Sequence, residues 1–175
     1  MDASQTGSYS KLTSSLDELI KLYRNLLDVV RKEKEALLQS QIDIIHENNK
    51  AKEGLLAKIR ATDLVRERYA RDLAQAVGSD AKTPRLLEIA QKMTGVGASP
   101  DADRLRQLHS ILVLLIERVA EINKANAQYA ENALKTLSMA LGDVKSTLGG
   151  KKVYERKGKL NEGPNRAGNF VSKEA

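Results

Sequence analysis

The chain contains two histidines, His46 and His109. A metal ligand at His109 would need a second ligand three or four residues away, where the chain has Arg106 and Val113, and neither ligates a metal. His46 is followed by Glu47 but lacks the second His of a zinc-protease helix. The sequence therefore predicts ordinary histidines on a helix face and no metal site.

The remaining polar residues do not form a pattern for covalent or acid–base chemistry. The carboxylate pairs Asp17-Glu18 and Asp101/Asp103 are typical of helix starts, where acids complement the helix dipole. No serine falls in a triad signature, and neither a dinucleotide-binding nor a phosphate-binding loop sequence is present. The absence of Cys excludes disulfides, zinc ribbons, iron–sulfur clusters and thiol nucleophiles. We therefore expect a protein that is not an enzyme and needs no cofactor.

Composition indicates helices as the elements that position these residues. Of 175 residues, 41% are hydrophobic, 30% are charged and only 3% are aromatic, with three Pro. Leu, Ala, Lys, Glu, Arg and Gln, which favour helices, predominate. The longest apolar run, Ile111–Ile116, is far shorter than the roughly 20 residues of a membrane span. With no recognisable signal peptide, we expect a cytoplasmic protein without membrane insertion.

Apolar residues recur at alternating steps of three and four along the first part of the chain. The series is Leu12, Leu16, Leu19, Tyr23, Leu26, Val30, Leu37 and Ile44. Ser8 or Ser10 is the expected cap of this helix, and residues 39–43 form either a kink or a break, with Asp43 as the next N-cap. The second helix is expected to end at Val77, with Gly78 just beyond it. A short helix is predicted over Pro84–Met93, with Pro at its first position.

The last helix has the clearest pattern, with Asp101 or Asp103 as its cap and its end near Leu141. Its apolar series is Leu105, Leu108, Leu112, Leu115, Val119, Ile122, Asn126, Tyr129 and Ala133, flanked by Ile116, Asn123, Ala130 and Leu137. We expect Leu112, Leu115, Ile116 and Val119 to be core residues. Asn123 and Asn126 lie on the apolar side, where a buried Asn fixes helix alignment.

These elements predict an all-α fold. It is an elongated antiparallel bundle of three long helices plus one short helix. The expected organisation is a frayed N-terminus over residues 1–10, the bundle over 11–143 and a flexible, disordered basic tail over 144–175. Residues 145–175 contain eight Lys and Arg but three Asp and Glu, a net charge of +5. The tail contains only Tyr154 and Phe170 for base stacking, and this argues against nucleic-acid binding. A nucleic-acid binder that uses the basic tail is nevertheless an open alternative.

The helical spacing continues past the expected end of the bundle, through Leu137, Leu141, Val144 and Leu148. This leaves an apolar edge without an evident internal partner. Such an edge suits folding onto a helix of another protein.

Four segments, in this order, resemble the FlgN-type flagellar export chaperones. The first is VRKEKEALLQSQ, at the end of the first helix. The second comprises Asp43-Ile44-Ile45 and Lys52–Ile59. The third is Glu121–Asn126, with two Asn spaced by three. The fourth is Tyr154–Gly158, a short Tyr-x-x-x-Gly element.

This resemblance implies a chaperone for type III secretion. It would bind hook-associated proteins of the hook–filament junction through their C-terminal helical segments. It would prevent their premature assembly and deliver them to the cytoplasmic domain of the flagellar export gate. The expected binding residues are Leu137, Leu141, Val144, Leu148, Val153, Tyr154 and Gly158. The same helices could also form a homo-oligomer. Besides the basic-tailed nucleic-acid binder, the alternative function is a coiled-coil scaffold without a chaperone role.

Overall fold

The computed structural model describes residues 3–95 and 97–148. Four helices make up this part of the chain: α1 (Ala3–Leu38), α2 (Ile42–Ala76), α3 (Leu86–Gly95) and α4 (Ser99–Leu148). No strand occurs in these two ranges. The predicted all-α class, with three long helices and one short helix, is confirmed.

The chain divides into two compact units, Met1–Ala127 and Gln128–Ala175. The first unit holds α1 to α3 and the α4 residues up to Ala127. The described part of the second unit is the α4 segment 128–148. The division thus falls inside α4, before the expected domain boundary at residues 143 and 144. Helix α4 also continues beyond its expected end near Leu141, so residues 144–148 are helical, whereas 149–175 lie outside the described residues.

The N-terminal segment differs from the expected frayed end, because α1 begins at Ala3 and not at a cap on Ser8 or Ser10. Two side chains connect this segment to the rest of the first unit. Gln5 Nε2 donates to the Ala76 carbonyl at 3.0 Å, and Tyr9 OH donates to the Asp101 carbonyl at 3.1 Å. Burial and then the Asp101 charge raise the pKa of Tyr9 to about 12.

Between α1 and α2 the helix is fully broken. Ser40 adopts a left-handed φ of +54°. Its N–H donates to the Leu37 carbonyl at 3.2 Å, and the Gln41 N–H donates to the Ala36 carbonyl at 2.9 Å. This is the pattern of a Schellman helix end. The expected cap at Asp43 is wrong: Gln41 occupies the N-cap without a side-chain bond, and Asp43 lies in the first turn.

The other two helix ends use glycine in the same way. Gly78 follows α2 with a φ of +71°, which confirms its predicted position. Gly97 follows α3 with a φ of +83°. Helix α3 begins at Leu86, so Pro84 precedes the helix and is not its first residue, contrary to the prediction. The start of α4 is Ser99, so Asp101 lies in its first turn and neither predicted Asp is the cap.

The core of the first unit joins all four helices. Its largest fully buried side chains are Leu12, Leu16, Leu19, Val30, Leu73, Ile89, Met93, Leu105 and Leu108. Helices α1 and α2 run antiparallel, since Gln5 bonds to Ala76 and Lys52 pairs with Glu33. Helix α4 runs parallel to α1 in this unit, because Arg104 bonds to Asp17 and Asn126 to Val30.

The α4 series is buried from Leu105 through Asn126 at seven successive heptad positions. Leu112, Leu115 and Val119 are core residues as predicted. Ile116 is not a core residue, because it follows Leu115 by one residue and therefore lies further round the helix, where it is 39% exposed. The series also ends earlier than expected, since Tyr129 and Ala133 are exposed in the second unit. In the earlier series, Tyr23 and Leu37 are only half-buried and Ile44 is exposed.

A polar layer follows the apolar core in the first unit. Asn126 Nδ2 donates to the Val30 carbonyl at 2.9 Å and to Glu33 Oε2 at 3.0 Å. Lys52 Nζ lies 2.8 Å from Glu33 Oε1 and donates to Asn123 Oδ1 at 3.3 Å. Asn126 is buried as expected for a residue that fixes register, whereas Asn123 is exposed.

Candidate functional site

The second unit presents an exposed apolar face on α4. The face follows heptad spacing and is hereafter called the exposed stripe: the half-buried Ala130 and the exposed Leu134, Leu137, Leu141 and Val144. Leu134 is 68% exposed, Leu137 57%, Leu141 60% and Val144 52%. Residues spaced by three and four lie on one helix face, so these side chains form a continuous surface.

The predicted binding residues fall into two groups. Leu137, Leu141 and Val144 lie together on the exposed stripe. Leu148 is the last residue of α4 and keeps the same spacing, but its side chain lies outside the description. Val153, Tyr154 and Gly158 lie outside the described residues, so their role stays a prediction.

Sequence reasoning missed Leu134 as a member of this site. The signal was available, because Leu134 precedes Leu137 by three residues and Ala130 precedes Leu134 by four. Both residues fall within the predicted last helix, but its predicted apolar series runs through Tyr129 and Ala133 instead. The structure adds the exposure of this segment: Asn126 is buried, Ala130 is half-buried and Leu134 is 68% exposed.

Hydroxyl side chains near the stripe donate to carbonyl groups of the preceding turn of α4. Thr136 Oγ1 donates to the Asn132 carbonyl at 3.0 Å, and Ser146 Oγ and Thr147 Oγ1 each donate to the Asp143 carbonyl at 2.8 Å. Lys145 in the last turn complements the negative end of the helix dipole. Helix α4 continues past Gly142, although a glycine in a helix interior costs about 1 kcal/mol relative to Ala.

A second surface feature lies in the first unit, where a cavity of about 580 Å³ is lined by α2, α3 and α4. Its apolar lining includes Leu87, Leu112, Val113 and Ile116, and its polar lining includes His109. The charged groups beside it are paired: Arg66 Nε donates to Asp63 Oδ1 at 2.6 Å, and Arg85 Nη1 to Glu88 Oε1 at 3.2 Å.

In residues 3–95 and 97–148, no three His, Asp or Glu side chains converge to hold a metal ion. The pKa of Asp80 is lowered by hydrogen bonds from the Thr83 hydroxyl and the Lys82 N–H, which is the chemistry of a turn. What the second unit offers is apolar area in helical register, which suits recognition of another helix.

Over the same described ranges, no helix combines the length and apolar character that crossing a membrane requires. This agrees with the alternation of apolar and charged residues along α1, α2 and α4.

Residues 1–162 match the family described as FlgN protein. The match covers the first unit and continues through the exposed stripe to Tyr154 and Gly158. No curated protein and no solved structure matches the chain significantly. A family match over this much of the sequence shows membership, and the chain belongs to the FlgN family of flagellar export chaperones.

Proposed function

We propose that this chain is the cytoplasmic chaperone of hook-associated proteins at the hook–filament junction. It binds their C-terminal helical segments, prevents premature assembly and delivers the bound client to the export gate. It does so without catalysis or a cofactor. Family membership supports the chaperone role, and the observation that supports this binding mode is the exposed stripe.

The physical argument starts from the apolar area on the stripe. Fully burying a Leu or Val side chain contributes about 1.5–3 kcal/mol. Four such residues, each more than half exposed, therefore offer several kcal/mol to a client helix that covers them. Association and helix ordering offset part of this gain, so the complex is reversible, as a delivery chaperone requires.

The stripe is expected to take the apolar face of an amphipathic client helix. Leu134, Leu137 and Leu141 would act as anchors at successive turns, as in other helix-recognition surfaces. The sequence beyond α4, with Val153, Tyr154 and Gly158, would complete the client contact or be read by the export gate.

The test is binding of a hook-associated protein's C-terminal segment to the full chain and to Leu137→Asp. A charge at the centre of the stripe should abolish binding, because the client helix would have to bury an unpaired carboxylate. Met139→Asp is the matched control, since Met139 is 63% exposed on the other side of the same helix and should tolerate the change. Full binding by Leu137→Asp would refute this site.

The gate contact needs a separate variant. Tyr154→Ala should leave the fold unchanged and reduce either client binding or export. Normal client binding with failed export would assign Tyr154 to the gate. Normal binding together with normal export would remove Tyr154 from the proposal.

A further inference from the structure

The exposed stripe has the heptad pattern of a two-stranded coiled coil. Taking Leu134 as position a, Leu141 is the next a, and Ala130, Leu137 and Val144 are d positions. The pattern continues to Leu148 at a further a position. Gly142, the residue least suited to a helix, falls at position b on the outer side, where a Cβ atom would have no neighbour within 4 Å.

We propose that the exposed stripe pairs with the same stripe of a second copy of this chain, antiparallel and centred near residue 139. Because the stripe is also the proposed client site, this part of the inference rests on the proposed function. Self-pairing would then cover the client site until a client helix replaces the second copy.

The apolar residues fit an antiparallel pairing in one register. Leu134 of one copy lies opposite Val144 of the other, and Leu137 lies opposite Leu141. Each layer therefore joins an a position to a d position, as antiparallel coiled coils require. Every heptad position from 134 to 144 therefore finds an apolar partner in this register.

Charges beside the stripe distinguish antiparallel from parallel pairing. Glu131 and Lys145 both occupy e positions, with Ser138 between them. In an antiparallel pair, e positions face e positions, so Glu131 of each copy faces Lys145 of the other. In a parallel pair they would face g positions, which are Ala133, Ala140 and Thr147 and carry no charge. Only the antiparallel pair gains these two attractive contacts.

The pairing is short enough to be displaced. Residues 130–148 span about 28 Å at 1.5 Å per residue, a short coiled coil. Its stability depends on chain concentration, and a ligand that binds the single helix shifts the equilibrium toward the monomer. A client helix with a stronger apolar face can therefore replace the second copy.

Charge reversal in the full chain is the decisive experiment, read by sedimentation equilibrium without client. The wild type should dimerise. Glu131→Lys or Lys145→Glu alone should raise the dimer dissociation constant about tenfold, because two symmetry-related attractions become repulsions. The double variant E131K/K145E should restore the wild-type constant, because it exchanges the charges and recreates both contacts.

Matched controls carry the same charge changes on the outer side of the helix. Lys135→Glu and Asp143→Lys lie at positions b and c and should leave the dissociation constant unchanged. A monomeric wild type, a dimer insensitive to the single reversals, or a double variant that stays weak would each overturn the proposal.

Cross-linking tests the orientation, since the chain has no Cys of its own. In the antiparallel pair the two copies of residue 138 lie close together beside the twofold axis, whereas the two copies of residue 131 are separated by about 24 Å along the helices. A short thiol-specific cross-linker should join Ser138→Cys chains and not Glu131→Cys chains. Cross-linking of both variants would indicate a parallel pair and overturn the inference.

A client titration separates this inference from the proposed function. If both hold, the apparent client dissociation constant should rise with wild-type chain concentration and stay constant for the weakly pairing Glu131→Lys chain. Client binding to a chain that does not dimerise refutes self-pairing alone. Dimerisation that Leu137→Asp abolishes, with client binding intact, refutes the client site alone.

Discussion

At the residue scale, burial in the first unit separates side chains that are adjacent in the sequence. Leu115 is 8% exposed and Ile116 is 39% exposed, although both belong to the same apolar run. One residue is a rotation of about 100° round the helix, which is enough to move a side chain from the core to its edge. Hydrophobicity alone therefore does not identify the core residues of α4.

Leu115→Ala should destabilise the protein by about 2–5 kcal/mol, because it removes buried methyl groups and leaves a cavity. Ile116→Ala is the matched control and should cost well under half of that value. Urea unfolding followed by circular dichroism measures both. Equal losses for the two variants would contradict the burial difference.

Glu33 is a buried acid whose partners come from two other helices. Its carboxylate accepts hydrogen bonds from Lys52 Nζ and Asn126 Nδ2. Glu33→Ala should cost about 3 kcal/mol, because it leaves the partly buried Lys52 ammonium without its counter-charge. Glu35→Ala, at an exposed position on the same helix, should change the free energy of unfolding by less than about 0.5 kcal/mol. Similar unfolding curves for the two variants would show that the polar layer does not stabilise the fold.

At the element scale, three helices of the first unit end with a residue in the left-handed region. Gly occupies this position after α2 and α3, but Ser40 occupies it after α1. A side chain there is strained, because its Cβ approaches the following carbonyl oxygen. Of these three helix ends, the end of α1 is therefore the one whose left-handed position is not occupied by glycine.

Ser40→Gly should stabilise the protein by about 1 kcal/mol, because glycine adopts this φ without the Cβ clash. The thermal unfolding midpoint measures the gain. Gly78→Ala is the reciprocal change and should lower the midpoint, since it introduces the same strain after α2. A lower midpoint for Ser40→Gly would mean that the Ser40 side chain contributes more than its strain costs.

At the scale of the whole molecule, the two units differ in how much of their apolar surface is buried. The buried hydrophobic residues from Leu12 to Ile122 all lie in the first unit. The described part of the second unit is one helix segment whose large apolar side chains are exposed. Folding should therefore depend on the first unit, and client binding on the second.

A chain that ends at Ala127 should still unfold cooperatively, with a midpoint within a few degrees of the full chain, because it keeps the core and Asn126. It should not bind the client segment. A chain that ends at Ala125 is the control for the polar layer and should be less stable, since it lacks Asn126. Full client binding by the chain that ends at Ala127 would place the site in the first unit.

The sequence alone determined the helical class, the order of the helices and the family. Heptad spacing is a local property of the chain, and it predicted the buried series from Leu105 to Ile122 and the helix end at Gly78. The resemblance across four short segments predicted the family, which the match over residues 1–162 confirms.

Tertiary structure decided where the core of α4 ends and which flank of the helix is exposed. Apolar residues continue at helical spacing from Leu105 to Val144, although successive steps of four from Ile122 through Asn126 and Ala130 to Leu134 shift the apolar face at the end of the core. The last buried member of the α4 series is Asn126, which bonds to Glu33 in the polar layer that also contains Lys52 in the first unit. A helical repeat in the sequence shows that one face of a helix is apolar. Only the packing of the other helices determines whether that face is part of the core or a binding surface.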